Sequence, residues 1–177
     1  MREHYYICGL VAILIFPTAA KGQLLNGDTN FPIMSELQWE LTMNDVRGLC
    51  ERHHVVMTPA DSAIVVAIPV LGFASRTELQ FNGYSKTLKS VQAKFNEPTK
   101  LLVDSITSYL TRTMRREPVR TVKEKSLLIF TIRVEMALWN SSAGLVNLVT
   151  AMRGDSMIDA SLVLFPPTAQ QATGSKK

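Results

Sequence analysis

The sequence predicts an α+β fold, with two helices packed on one face of an antiparallel sheet. The coarse order of segments is helix, three strands, helix, three strands, and turn residues separate the strands. Runs of strands interrupted by single helices are typical of this fold class. We interpret the chain as a tandem helix-plus-three-strand repeat within one domain, residues 37–165, with repeats at about residues 37–97 and 98–165.

The first 22 residues predict a secretory signal peptide. Arg2 gives a positive start, residues 7–16 form an apolar run, and Pro17 and small residues follow. A membrane span needs about 20 residues, so the run is too short to cross a bilayer. Cys8 lies inside the run, whereas the cysteine of a lipid anchor follows the run at the cleavage point, so no lipid anchor is predicted. We expect cleavage within residues 20–23 and export to a periplasm or the medium; an uncleaved anchor or a buried helix is the alternative.

The first repeat begins after an extended lead-in, residues 23–36. Leu37, Trp39 and Leu41 alternate with polar residues and predict a short strand. Thr42 and Asp45 then have the spacing that caps a helix. The apolar face of this helix continues through Val46, Leu49, Cys50 and His53, and the helix is expected to end near His54.

Three strands follow this helix. Residues 63–71 are nearly all apolar, which predicts a strand buried on both faces. Thr77, Leu79 and Phe81 alternate before an Asn-Gly turn, which favours a second strand and a hairpin. Residues 88–95 predict the third.

The second repeat opens at Pro98 with a helix that Pro118 ends. Its apolar face is predicted to contain Leu102, Ile106, Tyr109, Leu110 and Thr113. Strands are then predicted over residues 128–138, 145–152 and 157–165, and a disordered tail over 166–177. The aromatic residues are interpreted as core, namely Trp39, Phe81, Phe95, Tyr109, Phe130 and Trp139.

The stretch LTMNDVRGL, residues 41–49, has a polar cap, two further residues, an acid and a valine. It resembles the helix-opening pattern of two groups of exported domains, the outer-membrane-assembly small lipoproteins and the β-lactamase-inhibitor-type proteins. The resemblance implies helices on an antiparallel sheet, a tandem repeat as in the inhibitor type, and binding to other proteins. The chain lacks the lipobox cysteine, the opening glycine and the inhibitor-type disulfides, so no functional residue is carried over.

Cys50, His53 and His54 form the densest group of chemically active residues. At helical spacing the three side chains could bind one soft metal ion. Alternatively, Cys50 would be a nucleophile and a neighbouring histidine its base. The alternative is structural, because Cys50 continues an apolar face and histidines at a helix end suit the helix dipole. No further histidine follows the predicted signal peptide to complete a metal site. We therefore predict no catalytic, metal or cofactor-binding residue, and keep the metal-dependent enzyme as an alternative.

One basic cluster lies between residues 112 and 125, and it is a candidate patch for contact with an acidic partner or anionic headgroups. The candidate patch consists of Arg112, Arg115, Arg116, Arg120 and Lys123. We favour the alternative, a solvated helix end and loop. The cluster lacks interleaved aromatic residues and the chain's net charge is only +4, which argues against nucleic-acid binding.

Phosphate-binding, nucleophile-elbow and zinc-protease motifs do not occur in the sequence. The leading hypothesis is an exported, non-enzymatic protein, without a cofactor or a membrane span, that binds another protein or an envelope component through an exposed sheet face. A carrier of a small apolar ligand held between helix and sheet is the second hypothesis.

Overall fold

The computed structural model describes residues 36–127, 129–141 and 144–167. They contain helices α1 (Met43–Arg52) and α2 (Lys100–Met114), each followed by four strands. The first four are β1 (Met57–Ala60), β2 (Ala63–Ala67), β3 (Ser75–Phe81) and β4 (Leu88–Phe95). The second four are β5 (Val119–Leu127), β6 (Phe130–Ser141), β7 (Gly144–Arg153) and β8 (Ser156–Phe165). The predicted signal peptide, almost all of the lead-in and residues 168–177 lie outside the described residues.

All eight strands form one antiparallel sheet in the order β1-β2-β3-β4-β8-β7-β6-β5. Each group of four is a meander, and strands β4 and β8 join the two groups, with Ala93 opposite Leu162. This pairing places both residues at the centre of the sheet, where they are fully buried. The predicted α+β class and antiparallel sheet are confirmed.

Helix α1 begins with the predicted capping box. The Thr42 hydroxyl accepts a hydrogen bond from the Asp45 amide, and the Asp45 carboxylate accepts one from the Thr42 amide at 2.8 Å. These two bonds satisfy amides that a helix start leaves without partners. Val46, Leu49 and Cys50 form the buried face.

Helix α2 begins at Lys100, and its N-cap is Thr99, whose hydroxyl accepts a hydrogen bond from the Leu102 amide. Leu102, Ile106 and Leu110 are buried at helical spacing, as predicted, whereas Thr113, predicted on the same face, is exposed near the end of the helix. The helix ends four residues before Pro118, where Arg115 takes the left-handed conformation that terminates many helices. Among the described residues, no helix is both long enough and apolar enough to cross a membrane.

The buried faces of both helices belong to one hydrophobic cluster with alternate residues of the strands. We call the sheet side that carries Ala93, Leu148 and Leu162 the core side, and the opposite side the second side. Residues directly paired in an antiparallel sheet point to the same side. The register therefore assigns every paired strand residue to one of these two sides.

Three strands and one irregular segment differ from the prediction. Strand β1 contains Pro59 and strand β5 is mostly charged and polar, so neither has the apolar alternation that predicts a strand. Both form sheet edges, where proline and charges are tolerated. Residues 37–41 form no strand, because Leu37 and Trp39 pack into the core outside the ladder. Strand β2 is also not buried on both faces, since Ala67 is exposed.

Candidate functional site

The second side of the sheet carries a broad apolar surface on strands β6, β7 and β8. The register places its residues side by side, for example Leu138 beside Asn147 and Asn147 beside Val163. Within the described part of the chain, these apolar side chains lie outside the buried core cluster. We call this surface the apolar stripe, and it consists of Phe130, Ile132, Val134, Met136, Leu138, Leu145, Val149, Ala151, Val163 and Phe165.

The side chains of the apolar stripe are mostly half-buried, because neighbours on the same pleated surface shield one another. Phe165 is the most open of them, at 37% exposed. A sheet with one solvated side normally carries polar residues there. Apolar residues on this side instead indicate a surface that another element can cover.

Positive charges border the apolar stripe along strand β5 and at the end of strand β7. Lys123 and Lys125 of the edge strand pair with Val134 and Ile132. Arg153 lies on the same side, and its guanidinium carbon is 4.2 Å from the centroid of the Phe130 ring. Within the described residues neither lysine forms an ion pair. The stripe is therefore bordered by cations that have no carboxylate partner in this part of the chain.

The middle of the stripe contains one amide, Asn147, between Leu138 and Val163. Its side-chain oxygen is buried and has no hydrogen-bond partner among the described atoms. A buried polar atom without a partner costs about 1–3 kcal/mol. The unpaired amide oxygen therefore lowers the stability of the isolated chain.

Cys50, His53 and His54 take three different environments. Cys50 is fully buried in the core, and burial raises the pKa of its thiol. The His53 ring nitrogen lies 2.7 Å from a Glu36 oxygen, while the other Glu36 oxygen binds Arg52 at 3.1 Å. His54 is exposed and has a left-handed backbone. Within the described residues, no three metal-ligating side chains come together.

The predicted basic patch is divided by the fold. Arg112, Arg115 and Arg116 are exposed around the end of helix α2. The strand then alternates, so Arg120, paired with Ala137, points to the core side and Lys123, paired with Val134, to the second side. The structure thus brings the three helix-end arginines together and directs Arg120 and Lys123 to opposite sides of the sheet.

Two cavities bear on the ligand-carrier hypothesis. The space between helix α2 and the sheet, at Val103 and Leu148, is about 10 Å³, which holds about one water molecule. A cleft of about 290 Å³ lies at the start of helix α1 and is lined in part by Met43, Phe81 and Lys86. This cleft is near the lower end of the volumes of small-molecule sites.

Comparison with family models, curated proteins and solved structures found no match to this chain.

Sequence reasoning predicted an exposed sheet face but not its apolar stripe. Phe130 was predicted in the core, yet it lies on the second side because Ala137 and Trp139 of the same strand supply the core residues. The alternation in residues 130–138 shows that one side of the strand is apolar. It does not show which side the helices cover, since Ala137 and Trp139 are apolar as well.

Proposed function

We propose that this chain is an exported, non-enzymatic protein that binds another protein or an envelope component through the second side of its sheet. The observation that carries the proposal is the apolar stripe, which the described residues leave outside the core. Contiguous apolar surface of this kind is a common mark of interaction sites. Its cationic border would orient a partner, as polar groups at interface edges do.

The environment of Cys50 opposes its use as a nucleophile. A cysteine nucleophile acts as a thiolate and needs access to substrate. Cys50 is fully buried, which denies it access to substrate, and burial raises the pKa of its thiol, which disfavours the thiolate. His53 is engaged by Glu36 at the surface of the helix end. These contacts support a structural role for the group.

The proposed architecture is a tandem repeat whose two helices cover the core side. The element order supports it, since a helix precedes each four-stranded meander. The shared core cluster supports it as well, because the buried faces of both helices contribute to one cluster. The resemblance to the inhibitor-type and lipoprotein domains points to the same layout and to protein binding.

Site-specific photo-cross-linking in the protein's own host tests the proposed function. A photoreactive residue replaces Val134, within the stripe, or Val122, which is 48% exposed on the core side of the edge strand. We expect one discrete cross-linked product from position 134 and none from position 122. Equal labelling at both positions would contradict binding through the second side.

A carrier of a small apolar ligand is the second candidate, and the cleft beside helix α1 favours it. Met43 and Phe81 give the cleft an apolar lining, and Lys86 and Asp61 give it charged groups. Native mass spectrometry of gently purified protein tests this candidate. A bound small molecule would support it, and the bare mass of the chain would contradict it.

A further inference from the structure

Resting on the proposed function, we propose that the apolar stripe binds one acidic amphipathic helix of a partner protein, with acidic residues of that helix facing Lys123, Lys125 and Arg153. The dimensions of the stripe and the charges beside it support this assignment.

The dimensions of the stripe fit one helix. Along strand β6 it extends from Phe130 to Leu138, about 27 Å at the usual rise of a strand. Across strands β6 to β8 it is about 10 Å wide at its Leu138 end, and it narrows to strands β6 and β7 at Val134, where Asp159 occupies strand β8. A helix of about 18 residues has the same length, and its diameter is about the width of the broad end.

The charge on the second side selects an acidic partner. Its paired strand residues include more cations than carboxylates, namely Arg76, Lys94, Lys123, Lys125 and Arg153 against Glu78 and Asp159. Lys94 is 3.5 Å from Asp159, which leaves the cations beside the stripe for a partner. Because opposite charges attract across an interface, glutamates or aspartates are expected opposite them.

The same charges disfavour other occupants. A second copy would bring like charges together, which costs binding free energy. Residues 168–177 contain two lysines and no acid, and residues 23–35 contain one acid, Asp28. Neither terminal segment therefore complements the stripe.

The edge of strand β5 is also a poor site for an added strand. Its exposed residues Arg120, Lys123, Glu124 and Lys125 alternate between the two sides of the sheet. Charges on an edge strand oppose pairing with another chain. An acidic helix across the second side would instead be attracted by Lys123 and Lys125, so the placement of these lysines favours a helix over an added strand.

A direct test measures binding of a fluorescent 18-residue helical peptide, with leucine on one face and glutamate elsewhere, to the full-length protein. We expect the double variant Lys123→Glu/Lys125→Glu to weaken binding about tenfold. The matched double variant Arg112→Glu/Arg115→Glu makes the same charge change at the end of helix α2 and is expected to bind as the parent does. Circular dichroism and thermal melting of each variant check that it is folded.

A peptide with lysine in place of every glutamate is expected not to bind. Equal binding of both peptides, or no effect of the lysine substitutions on the acidic peptide, would overturn the proposal. Vesicles of phosphatidylcholine and phosphatidylglycerol test the lipid alternative, and sedimentation velocity tests a second copy. The helix proposal would be overturned if the acidic peptide does not bind while vesicle binding or dimerisation requires Lys123 and Lys125. The occupant of the stripe would then be a lipid surface or a second copy, respectively. If position 134 cross-links to a protein but the acidic peptide fails to bind, the proposed function stands and this inference fails.

Discussion

Arg153 holds its guanidinium 4.2 Å from the centre of the Phe130 ring, on the second side of the sheet. A cation over an aromatic face at an exposed site gains about 0.5–1 kcal/mol. Because Arg153 is paired with Ile132, the contact fixes a positive charge beside the apolar stripe. The charge is thereby positioned before a partner arrives, which lowers the entropy cost of using it in binding.

Replacing Asn147 by leucine is expected to raise stability. The substitution removes a buried amide oxygen without a partner and extends the apolar stripe. We expect the free energy of unfolding to rise by about 1 kcal/mol. Urea denaturation measures this change, and Asn140→Leu at an exposed position of the same side is the control, expected to change stability by less than about 0.5 kcal/mol. A loss of stability in Asn147→Leu would show that the amide is already satisfied.

Gly144 and Gly48 are expected to respond to alanine in opposite directions. Gly144 has a φ of +139°, and an added Cβ would overlap the Phe165 carbonyl oxygen. Gly48 lies in helix α1 with open space around its Cβ position. We expect Gly144→Ala to lower the free energy of unfolding by about 1–3 kcal/mol and Gly48→Ala to raise it by up to about 1 kcal/mol. Parallel urea titrations check both signs, and a stable Gly144→Ala protein would contradict the β7–β8 geometry.

Loss of the Thr42 cap is expected to lower the free energy of unfolding, and by less at acidic pH than at neutral pH. Hydrogen bonds from the Thr42 hydroxyl and amide lower the pKa of Asp45. A carboxyl whose pKa is lower in the folded state stabilises the fold at neutral pH, and this contribution is lost as pH falls through the folded pKa. We expect Thr42→Ala to cost about 1 kcal/mol at pH 7, and less below about pH 4.

Thr99→Ala provides the matched control for the cap. Thr99 caps helix α2 through the Leu102 amide, and no acidic residue lies in the first turn of that helix. Its loss is expected to cost a similar amount, about 1 kcal/mol, at both pH values. Denaturant titrations at pH 7 and pH 3.5 compare the two variants. The same pH dependence in both would exclude the Asp45 contribution.

The buried thiol of Cys50 predicts alkaline sensitivity. Burial raises the pKa of Cys50, so the unfolded chain loses this proton at a lower pH than the folded chain. The stabilising contribution is complete below the unfolded pKa, about 8.5, and decreases as pH rises above it. We expect stability to fall more steeply between pH 8 and 10 in the parent than in Cys50→Ala. Rapid labelling of the native protein by a thiol reagent would contradict the burial.

The elements that the sequence predicted best are those with a local physical signal. The Thr42–Asp45 capping box and the Leu102–Ile106–Leu110 face depend on residues within one or two turns of helix, and the structure contains both. Strand β5 was not predicted, because its pairing with strand β6 compensates for a charged sequence with poor strand propensity. Pairing is a long-range property that local patterns do not carry.

The candidate site shows the same limit. The alternation of Val134 and Met136 is visible in the sequence, but both sides of strand β6 carry apolar residues, since Ala137 and Trp139 occupy the other. Only the position of helix α2 decides which side is core. The order of strands also decides the edges, which are strands β1 and β5.

The central claim is that the second side of the sheet binds a partner, and co-purification from the protein's own host tests it most directly. Tagged parent protein is compared with Met136→Glu, in the stripe, and Val122→Glu, on the core side of the edge strand, after thermal melting shows that both are folded. We expect a stoichiometric partner with the parent and with Val122→Glu, and its loss with Met136→Glu. Undiminished recovery of that partner with Met136→Glu would contradict the account.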